Sequence, residues 1–166
     1  MSDSKKVHKY FPQPIFQYQL ENYERHNQDL KKYIYNAYNE DPNGLSRSNQ
    51  GGWHSKPFDL KDKSSAPFTF FQSIQKYVAD VFKEYGWLYV PGKVNLTEMW
   101  AIINKKNNFN IEHTHPNNYL SAAYYVKAPE NCGSFIVTNP NSVSRERITA
   151  SERKTEFNRN IAQIKP

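Results

Sequence analysis

The sequence predicts an α+β fold, with helices in the first half and antiparallel strands in the second. Three observations carry this expectation. Apolar residues recur at helical spacing in two segments before Gly86. From Val94 onward the pattern alternates, and the alternating runs are separated by turn residues. At 166 residues and 19.5 kDa the chain can bury one sizeable core, but hardly two. Helices followed by consecutive antiparallel strands point to a sandwich or barrel of strands.

Residues 1–9 are polar and read as a flexible N-terminus, leaving 10–166 as a single domain. Its helical part covers about 20–86 and its strand part about 94–166. Tyr10 to Leu20 alternates and carries Pro12 and Pro14, the signature of an edge strand. From Asn22 to Tyr38, apolar residues at Tyr23, Leu30, Tyr33, Ile34, Ala37 and Tyr38 share one helical face. A turn-rich stretch follows, containing Gly51 and Gly52, a pair that permits close approach of another element. Ser64 and Ser65 supply caps and Pro67 an early proline for a second helix, which Gly86 ends. Its stripe, Phe70, Phe71, Ile74, Tyr77, Val78, Val81, Phe82 and Tyr85, is core packing. Phe71, Ile74, Val78 and Phe82 are expected to be buried against the back of a sheet.

Val94 to Asn104 predicts a strand with Glu98, Trp100, Ile102 and Asn104 on one face and Met99, Ala101 and Ile103 on the other. Lys105 to Asn108 is a turn. Leu120 to Val126 and Ser134 to Thr138 predict two further strands, and the polar tail ends at Ile161 to Ile164, where another strand begins.

A formal charge of +6 could favour acidic partners, but the basic residues are scattered through most of the chain and read as a solvated surface. The tail is the exception, with Arg145, Arg147, Arg153, Lys154, Arg159 and Lys165. It holds a single aromatic, Phe157, which argues against stacking on nucleic acid. The single cysteine, Cys132, excludes an internal disulfide framework and a cysteine-based zinc site. No apolar run reaches the roughly 20 residues that span a bilayer, and the first residues lack a signal peptide's apolar stretch. A cytoplasmic protein without a membrane partner is expected.

The chemistry concentrates in Asn110-Ile-Glu-His-Thr-His-Pro. In an extended segment, residues two apart share a face, so His113 and His115 project together and Glu112 and Thr114 turn away. Pro116 pushes His115 toward extended geometry. Two neutral imidazoles side by side can ligate iron, zinc or copper; the bland alternative is a hydrogen-bonded loop. His54, between Trp53 and Ser55, reads as a hydrogen-bonding brace in a loop, with accessory ligation as the alternative.

Together, Ser48-Asn-Gln-Gly-Gly-Trp-His-Ser, Asn110-Ile-Glu-His-Thr-His-Pro, Leu120-Ser-Ala-Ala-Tyr-Tyr-Val and Asn139-Pro resemble iron(II)/2-oxoglutarate oxygenases found in marine bacteria and their phages. The resemblance runs from about Phe11 onward. It implies a double-stranded β-helix (a jelly roll) with two N-terminal helices packed on the sheet. It also implies Fe(II), 2-oxoglutarate and O2 as cofactor and cosubstrates, with Asn104, Ser121 and Tyr125 the candidate cosubstrate contacts by alternation on the flanking strands, a hydroxylated substrate of unknown identity, and host cytoplasm if phage-encoded. His113 and His115 match the first two metal ligands of that family. The second is a carboxylate in the general pattern, so an imidazole there removes one negative charge from the site. The family's closing strands, with a distal histidine and an arginine that binds 2-oxoglutarate, have no counterpart after His115. An incomplete jelly roll is therefore expected, with weak iron binding and little or no turnover alone, completed by a C-terminal polypeptide or a second copy; a relic or fragment, or a different closing arrangement, are the alternatives. The alternative is a non-catalytic binding module derived from such an oxygenase.

Overall fold

The structure is a computed structural model and describes residues 5–146 and 150–166. Residues 1–4 of the expected flexible N-terminus, and Arg147 of the basic tail, lie outside the described residues. The elements run α1 (Tyr23–Glu40), β1 (Asn49–Gln50), β2 (Trp53–His54), α2 (Ala66–Glu84), β3 (Ile102–Ile103), β4 (Phe109–Asn110), β5 (Phe135–Thr138), α3 (Ser142–Glu146) and β6 (Ile161–Ile164).

Both long helices form where the apolar spacing places them. The α2 start is capped by Ser65, whose hydroxyl accepts from the Phe68 N–H at 3.3 Å, and Pro67 lies in the first turn, where no helical N–H is lost. Beyond its end, Gly86 takes φ +68°, the left-handed geometry that glycine adopts without penalty. The helices pack on each other. Leu20, Leu30 and Phe70 are buried between them, and Ile34, Ala66, Ile74, Tyr77, Met99, Tyr124 and Val126 close over that centre. Tyr18 ties the preceding segment to α2 by donating to the Asp80 carboxylate at 2.7 Å, a bond that pushes its phenol pKa up to about 12.

The strands form three separate two-stranded antiparallel ladders, β1–β4, β2–β3 and β5–β6. The first two belong to one longer pairing of residues 48–58 with 99–111. Asn49 faces Asn110 and Trp53 faces Ile103. The pairing continues through hydrogen bonds from Ile111 N–H to Ser48 O, Ser55 N–H to Ala101 O and Phe58 N–H to Met99 O, at 2.8–2.9 Å. Between the ladders, the chain at Asn104–Asn108 loops out opposite Gly51 and Gly52. A Cβ at Gly52 would collide with the Asn104 carboxamide oxygen, so the close approach read from the glycine pair is present.

Several expectations are corrected. Among the described residues the strands close into no barrel, and the long helices pack on each other rather than on a sheet. Leu120 to Val126 forms no strand. Its alternate side chains, Tyr124 and Val126, lie on the helix pair, with Tyr124 against Phe70 at 4.6 Å and its hydroxyl donating to Asn27 Oδ1 at 2.7 Å. Side-chain packing absorbs an alternation that the sequence attributes to a ladder. Tyr10 to Leu20 is likewise irregular and delivers Leu20 to the helix core. Within α2 the buried positions are Pro67, Phe70, Val81 and Phe82; Phe71, Ile74 and Val78 are half-buried, because α1 covers a narrower stripe than a sheet would. The strand read as beginning at Ile161 is β6, paired with β5.

The chain exposes 14027 Å², against roughly 8,500 Å² for a compact monomer of this mass. Phe135, Ile136 and Ile161 on the β5–β6 ladder are among the apolar residues left open. Phe70→Ala, at the centre of the helix pair, is expected to cost about 3–5 kcal/mol in urea unfolding, and Phe71→Ala less than half of that. Equal losses at the two positions would contradict this packing.

Candidate metal centre

The pairing of residues 48–58 with 99–111 fixes what faces the site. Alternation sends Met99 to the helix core, buries Ala101 and sets Ile103 opposite Trp53. The even-numbered face therefore carries Trp100 the other way. There its ring stacks on His54, with centroids 5.6 Å apart and planes 12° from parallel. The same ring meets His115 at 5.7 Å, with the planes tilted by 42°. His115 in turn meets His113 edge-on, at 4.8 Å and 79°. Four rings thus touch in series, here called a column: His54, Trp100, His115 and His113.

The two histidines follow immediately after the pairing ends at Ile111. No ladder holds Glu112 to Pro116, yet the rings come together as the His-x-His spacing predicts. Glu112 turns away and meets Arg145 at 3.9 Å. His113 is exposed, and its Nδ1 lies 2.7 Å from the Ile111 carbonyl oxygen. A carbonyl only accepts, so Nδ1 carries the hydrogen, which in a neutral ring leaves the lone pair on Nε2. Metal-ligating imidazoles use this arrangement: one nitrogen donates to a fixed oxygen while the other is free to ligate. The pair fits a divalent metal to that extent. Among the described residues, no three His, Cys, Asp or Glu side chains stand close enough to hold an ion together.

His54 is in β2 rather than in a loop, and it is buried. Its brace-like bonding is nevertheless present: Nδ1 donates to the Ser55 carbonyl at 2.7 Å. Beside it, Ser55 is only 3% exposed; its hydroxyl accepts from the Ala101 N–H at 2.9 Å and donates to the Lys56 carbonyl at 2.7 Å.

The cosubstrate candidates are less well gathered. The Asn104 amide donates to Asn110 Oδ1 at 3.2 Å, over the glycine pair. Ser121 is exposed on the irregular segment. Tyr125 is partly exposed on the same segment, and burial, with the Cys132 thiol nearby, raises its phenol pKa. Among the described residues, no hydrogen bond links any of these three to either imidazole. Trp100 is a site residue that the sequence placed on a strand face without giving it a role in the site. Its signal was its place on the strand face shared with Asn104.

Residues 98–166 match a family model. The family is described as "Putative 2OG-Fe(II) oxygenase". The matched region takes in Trp100, His113 and His115, and leaves out His54 and both long helices. No curated protein and no solved structure matches the chain. Among the described residues, no helix is long and apolar enough to cross a membrane.

Ser55→Ala is expected to leave the buried Ala101 N–H without its oxygen and to cost about 1–3 kcal/mol. Hydrogen exchange at the Ala101 amide should accelerate correspondingly. An unchanged exchange rate would show that the hydroxyl does not hold this pairing.

Proposed function

We propose that the chain carries the metal-binding part of an Fe(II)- and 2-oxoglutarate-dependent oxygenase, with His113 and His115 as two of the protein ligands. The observation that carries this reading is the imidazole pair itself. Two rings at 4.8 Å, one with its outer nitrogen freed by a backbone carbonyl, stand inside the region that matches the oxygenase family. Bound there with 2-oxoglutarate and O2, Fe(II) would supply the oxidant for hydroxylating a substrate.

This chain's own residues hold and orient. His113 donates through Nδ1 to Ile111, which fixes its tautomer. Asn104, Ser121 and Tyr125 remain the proposed cosubstrate contacts, from segments on either side of the histidines. We assign the third metal donor to a complementing polypeptide or to a second copy of this chain. The jelly-roll architecture typical of such oxygenases, if it forms, forms in that assembly. A non-catalytic binding module is the second reading, favoured by the absence of a third donor beside the pair among the described residues.

Fe(II) titrated anaerobically is expected to bind, and His113→Ala or His115→Ala should each weaken binding by at least about tenfold. Binding that is indifferent to both substitutions would refute the ligand assignment. Succinate formation from 2-oxoglutarate separates the two readings. If a second copy supplies the third donor, specific activity climbs with protein concentration and disappears in His113→Ala. Metal binding without succinate at any concentration, or with any complementing polypeptide, favours the binding module.

A further inference from the structure

Resting on the reading of His113 and His115 as metal ligands, we infer that Trp100 is a positioning residue that holds His115, and that His54 acts through Trp100 rather than as a ligand. The column of rings is carried by paired strands at one end only. His54 is buried, its ring is fixed by the bond to Ser55, and its carbonyl accepts from the Leu45 N–H at 2.8 Å. Trp100 lies nearly parallel on that ring, and backbone hydrogen bonds at Met99 and Ala101 hold the chain on either side of it. The other end has less support: Glu112 to Pro116 has no ladder, and His113, though bonded to the Ile111 carbonyl, is exposed.

An imidazole in such a loop samples several rotamers, and gathering two of them on one ion costs conformational entropy. The indole face at 5.7 Å removes part of that freedom from His115 before the metal arrives. His54 cannot join the ion without leaving this role, because its ring is stacked on Trp100 and its Nδ1–H is committed to Ser55.

The test is calorimetric titration of the full chain with Co(II), alongside thermal unfolding of each variant. Trp100→Ala is expected to weaken Co(II) binding about tenfold, the effect typical of removing a support behind a ligand. Trp100→Phe, which restores a flat ring, should recover affinity to within about threefold, and His54→Phe should stay within the same margin. A merely structural Trp100 would lower the unfolding temperature and leave the folded protein's affinity unchanged. Should Trp100→Ala fail to fold, Trp100→Leu keeps bulk beside Ala101 and removes the ring face. Affinity within about twofold of the parent in the folded ring-less variant, with His113→Ala still losing binding, overturns the positioning role and leaves the ligand pair standing. A His54→Phe loss as large as that of His113→Ala makes His54 a ligand and overturns the inference. Parent-like binding by His113→Ala overturns the ligand reading itself.

Discussion

At Ser55 and Ala101, two hydrogen bonds pin the centre of the pairing between residues 48–58 and 99–111. The Ser55 N–H donates to the Ala101 carbonyl, and the Ala101 N–H donates to the Ser55 hydroxyl. Both residues are buried, so neither bond competes with water, and leaving one of these groups unpaired would be costly. The register fixed there decides which way Trp100 points. A slip of one residue would exchange the faces, sending Trp100 into the helix core and Met99 toward the histidines. The position of the column, and so of the candidate ligands, depends on this register.

The helix pair and the site are built on opposite faces of one segment. Met99 goes to the cluster around Leu30 and Phe70, while its neighbour Trp100 goes to His54 and His115. Packing energy from the helices therefore anchors the strand that supports the site. The same economy leaves the other flank thin. The β5–β6 ladder pairs with no other strand among the described residues, and Ile136 and Ile161 stay more than half exposed on it. Its outer edges are left open to pairing with further strands.

Much of this was legible in the sequence, because local rules decide it. Helical spacing and the Ser65 cap place α2 to within a residue or two, and His-x-His spacing brings the two imidazoles together. The glycine pair announces the approach of Asn104. What failed depends on non-local competition. The alternation in Leu120 to Val126 is real, but Tyr124 and Val126 spend it on the helices, with Asn27 accepting the Tyr124 hydroxyl. Nothing within that segment distinguishes a strand face from a packing face. His54 was read as a loop residue because β2 is two residues long and exists only through its pairing with β3. Trp100 was passed over for a related reason: its importance lies in two ring contacts made across the fold, invisible from its own neighbours.

The central claim is that His113 and His115 act as one metal pair while His54 stands behind as a support. Long-range ¹⁵N correlation spectra of the five histidine rings, recorded before and after adding Zn(II), test it most directly. Before metal, the account predicts that His113 Nδ1 carries the hydrogen. On titration the His113 Nε2 resonance and a His115 ring nitrogen should shift together and saturate at the same Zn(II) concentration. His8, His26 and His54 should keep their nitrogen shifts. Zn(II)-dependent shifts at His54, or at His8 and His26, with His113 and His115 unmoved would contradict the account.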